Sequence, residues 1–138
     1  MKHVTPYLFF NGRCQEALDY YISVFHGKVT MRTTFGQAPQ VVSGVDPTHI
    51  MHAEFEADGL FFMASDGMES PLRGMELKDD PISLNIHFDN ETEQKATYDA
   101  LCDKGEIIMP LQKTFWGAKF AQVKDPFGVK WMLNFQVK

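Results

Sequence analysis

An internal repeat restricts the fold of this chain more than any other feature. Phe10 and Phe88, Tyr20 and Tyr98, and Gly27 and Gly105 each lie 78 residues apart, and two amphipathic stretches share that spacing. In residues 13–26, Cys14, Leu18, Tyr21 and Phe25 recur at intervals of three and four, the period of one helix face, with Asn11 as the expected N-cap and Gly27 closing the helix. In residues 91–104, Asn90 is the expected cap, Glu93 follows three residues later and Gly105 closes. Upstream, "VTPYLFF" (4–10) sits over "ISLNIHF" (82–88), so that Thr5 corresponds to Ser83. Downstream, "HAEFEADGLFFMASD" (52–66) is similar to "FAQVKDPFGVKWMLNF" (120–135), each a hairpin around Gly59 or Gly128. The later offset is about 69, so the loops between differ in length.

Each half therefore reads β, α, β, β, β. The expected strands are 3–10 or 82–88, 28–35 or 106–113, and a hairpin of 49–57 with 60–65 or 118–124 with 129–136. A helix that follows one strand and precedes a meander covers a single sheet face, and the other face is left for a ligand. The connections 36–49 and 66–81, rich in glycine and proline, are expected loops. The expectation is an α+β protein in which residues 1–138 form one domain of two tandem βαβββ modules, 1–66 and 81–138. Together they are expected to make one curved eight-stranded sheet with helices on its convex face.

Composition narrows the partners. A net charge of −5 and a pI near 5.4, with the 13 Lys and Arg scattered, disfavour nucleic acid, which needs a clustered basic face. No apolar run reaches the roughly 20 residues that cross a bilayer, so no membrane partner is expected. The opening "MKHVTPYLFF" lacks a signal peptide's apolar core, which makes the cytoplasm the expected compartment. Cys14 and Cys102 have no metal-binding or redox spacing, and both are expected to be buried in helices.

Six ordered motifs, "PYLFFNG", "CQEALDYY", "MHAEF", "MASD", "MPLQKTFWG" and "DPFGVKWMLN", resemble the PhnB-like branch of the vicinal oxygen chelate superfamily of glyoxalases, bleomycin-resistance proteins and extradiol dioxygenases. That branch often carries a 3-demethylubiquinone-9 3-methyltransferase domain name. The resemblance implies a glyoxalase-like fold, a homodimer, and a divalent metal held from the first and fourth strands of the modules, usually by His and Glu. A dimer would also cover the edge of the strand bearing Pro6. The corresponding metal positions fall on Thr5, Ser83, Met63 and Met132, two hydroxyls and two thioethers in place of imidazole and carboxylate. No metal site and no cofactor are expected there, and a divalent metal held elsewhere is the less favoured alternative. Transfer of methyl from S-adenosylmethionine is disfavoured too, because no two glycines stand two residues apart as a G-x-G turn requires.

Strand alternation puts Thr5, Tyr7, Ser83 and Asn85 on the ligand face of the first strands, with Met63, Met132 and Asn134 facing them from the last strands. With Phe115 and Trp116 of the "TFWG" turn, these are the expected ligand-binding residues: apolar with a few polar groups. The turn aromatics read first as a core plug or dimer contact, with a lid over the pocket as the alternative. His52 and Glu54 alternate onto one face with Glu56, and His49 precedes them. These polar side chains face water, form an acid and base pair, or join His87 or His3 in an alternative metal site. His52, Glu54 and His87 are thus the candidate catalytic residues. Asp66 is expected to cap a hairpin or loop, and His26 to complement a helix C-terminus. The function expected from these residues is binding of a small, partly apolar molecule in the cup of the sheet. The alternatives are a metal-dependent lyase, isomerase or dioxygenase using a rearranged His/Glu site, and a purely structural dimer.

Overall fold

The repeat in the sequence is a repeat of hydrogen-bonded ladders. The computed structural model describes residues 3–40, 43–67 and 81–136, and the chain divides into two units, Met1–Glu76 and Leu77–Lys138. The first unit contains β1 (Tyr7–Phe9), α1 (Cys14–Phe25), β2 (Lys28–Thr34), a short 3-10 turn (Phe35–Gln37), β3 (Ile50–Ala57) and β4 (Leu60–Ser65). The second contains β5 (Leu84–Phe88), α2 (Glu91–Lys104), β6 (Glu106–Lys113), β7 (Ala118–Lys124) and β8 (Lys130–Gln136). Most of the connection expected at 66–81 lies outside the described residues.

In place of one eight-stranded sheet, the described residues form two four-stranded sheets, ordered β1-β4-β3-β2 and β5-β8-β7-β6. Each module satisfies its own ladder, because the helical crossover returns the chain so that the first strand pairs in parallel with the fourth. The other pairings are antiparallel. Register preserves the repeat: Tyr7 stands opposite Met63 and Asn85 opposite Met132. β1 is shorter than the 3–10 expected. Pro6 has no N–H to give the ladder, although its carbonyl accepts from Met63 N at 2.9 Å.

One face of each sheet is buried by its helix. α1 buries Cys14, Ala17, Leu18, Tyr21 and Val24, and Tyr21 meets Phe62 edge-on at 5.4 Å while Phe62 stacks on Phe55 at 4.8 Å. Burying each such ring contributes about 1.5–3 kcal/mol. In the second unit α2 buries Gln94, Thr97 and Leu101, and Trp131, Leu133, Val123 and Ala121 are buried on the sheet. Gln94 is tolerated there because its amide nitrogen donates to the carbonyls of Lys119 and Leu133, at 3.0 and 3.2 Å. Ile82 precedes β5 and is exposed.

Helix ends show where local sequence suffices and where it does not. Asn90 caps α2 as expected, accepting from Glu93 N at 3.0 Å. Asn11 does not cap α1; it takes φ 49° in the preceding turn, and Arg13 is the N-cap residue, its side chain making no capping bond and pairing instead with Glu16 at 3.1 Å. The orphan amides go to Asp66, whose Oδ1 accepts from Gly12 N and Cys14 N and whose Oδ2 accepts from Ile50 N, each at 2.8 Å. Asp66 is a cap as expected, of a helix rather than a hairpin or loop. Asp125 does the hairpin work in the second unit. Its carboxylate accepts from Phe127 N, Val129 N and the indole Nε1 of buried Trp131, at 2.9, 3.0 and 2.9 Å.

Gly27 and Gly105 turn out to be glycine for lack of space. A Cβ on Gly27 would lie 2.4 Å from the Phe55 ring and 2.6 Å from the Glu56 carbonyl, and one on Gly105 would lie 2.5 Å from the Leu101 carbonyl and 2.8 Å from that of Lys124. The left-handed residue ending α1 is His26, with φ 54°. Among the described residues, no helix is long and apolar enough to cross a membrane.

Gly27→Ala and Gly105→Ala should each cost about 1–3 kcal/mol by overpacking, read as a lower urea midpoint. Asp125→Ala should cost about 3 kcal/mol, because three N–H donors lose their acceptor. The two cysteines are free, Cys14 buried and Cys102 only half-buried. Burial, aided by the Asp66 carboxylate, pushes the Cys14 thiol from the usual 9.0 up to about 12. Folded protein should therefore leave Cys14 unmodified by a thiol reagent at about pH 8. Its contribution to stability is intact below pH 9.0 and lost as the pH rises toward about 12, and Cys14→Ala should flatten that part of the stability profile.

Candidate functional site

The first sheet turns its unburied face away from α1, and strand register decides what that face carries. Tyr7 pairs with Met63, Met63 with Glu54 and Glu54 with Met31, a row across β1, β4, β3 and β2. Period-two alternation adds Phe9, Phe61 and His52 to the same face, with Thr33 opposite His52. Tyr7 stacks on Phe9 at 4.9 Å. Phe9 is 62% exposed, Met31 46%, Phe61 39% and Tyr7 38%.

In this apolar setting three polar side chains form a chain. The Tyr7 hydroxyl lies 2.8 Å from His52 Nδ1, and His52 Nε2 lies 3.1 Å from Glu54 Oε2. An ionised carboxylate only accepts, so Nε2 carries the proton, and in the neutral ring Nδ1 accepts the Tyr7 O–H. Burial raises the Tyr7 pKa, the Ser65 hydroxyl partly opposes this by hydrogen bonding, and the Cys14 charge adds to the rise. Tyr7 is therefore a phenol at neutral pH.

The corresponding face of the second sheet carries Asn85, His87, Met132 and Asn134, with Gln122 opposite Met132 and Phe120 opposite Asn134. The Asn85 amide nitrogen lies 3.1 Å from His87 Nε2. Thr5 and Ser83 stand two residues before Tyr7 and Asn85, outside the strands. Phe115 is 98% exposed and Trp116 half exposed, packed edge to face at 4.9 Å in the turn before β7. A core plug is thus not their role within this unit. His49 lies 3.6 Å from Asp46.

Among the residues expected from sequence, Tyr7, His52 and Glu54 come together beside Met63, whereas His87 belongs to the second unit and is bonded to Asn85. Phe9 shares the face of Tyr7 by strand alternation, as expected from sequence, whereas Met31 was not expected there because its face depends on a register shift in β2. The residues at the metal positions, Thr5, Met63, Ser83 and Met132, do not fit a hard divalent ion. Among the described residues, no group of three or more His, Cys, Asp or Glu could hold a metal.

Residues 2–134 match the family described as 3-demethylubiquinone-9 3-methyltransferase. The chain is 32% identical to protein YjdN of Escherichia coli (strain K12) over 141 residues, covering 95% of this chain and 93% of YjdN. Among solved structures it is similar to PA1353 from Pseudomonas aeruginosa (32% identity, TM-score 0.82, all of both chains) and to a PhnB protein from Bacillus cereus (25%, TM-score 0.79, 97% of this chain and 99% of that one). A glyoxalase/bleomycin resistance/dioxygenase protein from Alicyclobacillus acidocaldarius shares the fold at 14% identity and TM-score 0.60, over 100% and 96% of the chains. The α+β glyoxalase-like fold is therefore the fold of this protein. The chain belongs to the 3-demethylubiquinone-9 3-methyltransferase family, in its PhnB-like form.

Proposed function

We propose that this protein binds a small, partly apolar molecule on the open face of the first sheet, between Tyr7, His52, Glu54 and Met63, without the divalent metal usual in its superfamily. The observation that supports this reading best is the chain of Tyr7, His52 and Glu54 set among the exposed Phe9, Phe61 and Met31. Small-molecule sites are built this way, from apolar surface with a few polar groups that fix orientation. Thr5 is proposed as a further ligand contact of the first unit, and Ser83, Asn85, Phe115, Trp116, Met132 and Asn134 as ligand contacts of the second unit by itself.

The rearranged His/Glu metal site has less support. Both ring nitrogens of His52 are engaged by Tyr7 and Glu54, so coordination would break one of these bonds. Methyl transfer from S-adenosylmethionine has less support still. Among the described residues neither unit has alternating parallel strands and helices, and the sequence has no G-x-G to cradle a nucleotide. We further propose a homodimer: β1 is a three-residue sheet edge with Pro6 before it, and unpaired edges need covering.

Native mass spectrometry of protein taken directly from cells reads metal, bound organic molecule and subunit number together. The expected result is a dimer carrying an organic adduct that is lost from Phe61→Ser. One equivalent of metal per chain, released by Met63→Ala or Met132→Ala, would overturn the metal-free reading, and retention of the adduct by Phe61→Ser would move the site elsewhere.

A further inference from the structure

Glu54, His52 and Tyr7 have a direction as well as a contact. The carboxylate fixes the proton on Nε2, which leaves the Nδ1 lone pair pointed at the Tyr7 hydroxyl at 2.8 Å. This is the logic of a carboxylate-oriented imidazole that takes a proton from a hydroxyl, with a phenol in the place of an alcohol. The phenol oxygen keeps a further lone pair, and its ring lies on the exposed face beside Phe9.

We propose that Tyr7 is the proton-exchanging group of this face and that the bound molecule carries a weakly acidic hydroxyl, of the phenol or enol class, on an apolar body. The inference rests on the binding reading above. In the step, the ligand O–H breaks as its proton bonds to the Tyr7 oxygen, and the Tyr7 O–H breaks as its proton bonds to His52 Nδ1. The products are a ligand oxyanion, an unchanged phenol and an imidazolium facing the Glu54 carboxylate. Charge is conserved, and no oxidant or further reactant is needed.

Three observations support that class. An imidazole is a base matched to acidic hydroxyls such as phenols and enols, and not to ordinary alcohols. The raised pKa of Tyr7 suits a relay that ends each transfer as a neutral phenol. The groups around His52 are otherwise uncharged: Met31 and Thr33 on β2, Phe61, Met63 and Ser65 on β4, and Tyr7 and Phe9 on β1. Glu56 lies one alternation beyond Glu54 and has Lys28 opposite it, so among the described residues Glu54 is the charge that meets the imidazole. His52 and Glu54 act through Tyr7 and are positioning residues.

The test uses the full chain and 4-nitrophenol, whose phenol and phenolate absorb at different wavelengths, with binding read independently from the NMR shift of the Met63 methyl. Bound probe should ionise about one pH unit below free probe, a tenfold gain in acidity. Tyr7→Phe and His52→Gln should abolish that shift. Glu54→Gln should lose most of it, and Glu54→Asp should restore part. Nitrogen NMR of the free protein should show the Nε2–H tautomer of neutral His52. An Nδ1–H tautomer would overturn the relay whether or not the probe binds. Probe that shifts Met63 but stays protonated would overturn the relay and leave the binding reading standing. Probe that does not bind would overturn the hydroxyl class, and the cellular adduct then judges the binding reading by itself.

Discussion

Parallel pairing of the first strand with the fourth places every residue of the candidate site. A β-hairpin joins β3 to β4, but β1 reaches β4 only because α1 crosses one face of the sheet and returns the chain beside it. That pairing sets Tyr7 level with Met63, and through β3 within reach of His52 and Glu54. Asp66 holds the arrangement at its corner: one carboxylate takes amides from the start of α1 and the start of β3 while its backbone ends β4. A slip of one residue in β1 would turn Tyr7 into the helix layer and bring Leu8 to the open face.

The two modules share their ladders and differ in their faces. In each, the helix end meets the sheet at a glycine with no room for a Cβ, against the carbonyl of Glu56 or of Lys124. Their buried carboxylates serve different ends, Asp66 securing a helix N-terminus and Asp125 a hairpin and the Trp131 indole. Their exposed polar groups differ as well. The first sheet carries phenol, imidazole and carboxylate in series, while the second carries an amide on an imidazole.

Element order, both helices, both hairpins and the open-face parity of Tyr7, Met63, Asn85 and Met132 were legible in the sequence, because they follow from periodicity and from a repeat that can be laid over itself. The Asn90 cap was legible because it acts three residues away. The cap of α1 was not, since Asp66 lies 52 residues from Cys14 and reaches it only through the fold. The contact of Tyr7 with His52 was hidden for the same reason: Tyr7 was legible on the open face of β1 and His52 on one face with Glu54, but their adjacency depends on β1 pairing with β4 in place of a sequence neighbour. The division into two ladders was equally beyond reach, because hydrophobic alternation marks a strand's faces and is silent about its neighbours.

The most crowded glycines among the described residues, Gly27 and Gly105, lie where a helix meets its sheet. A duplicated scaffold of this kind separates what must be kept from what is free to vary. Mutation can rewrite the exposed chemistry of one copy while the seam beneath continues to assemble unchanged. Relatives with closely similar backbones can accordingly have parted company in what they handle.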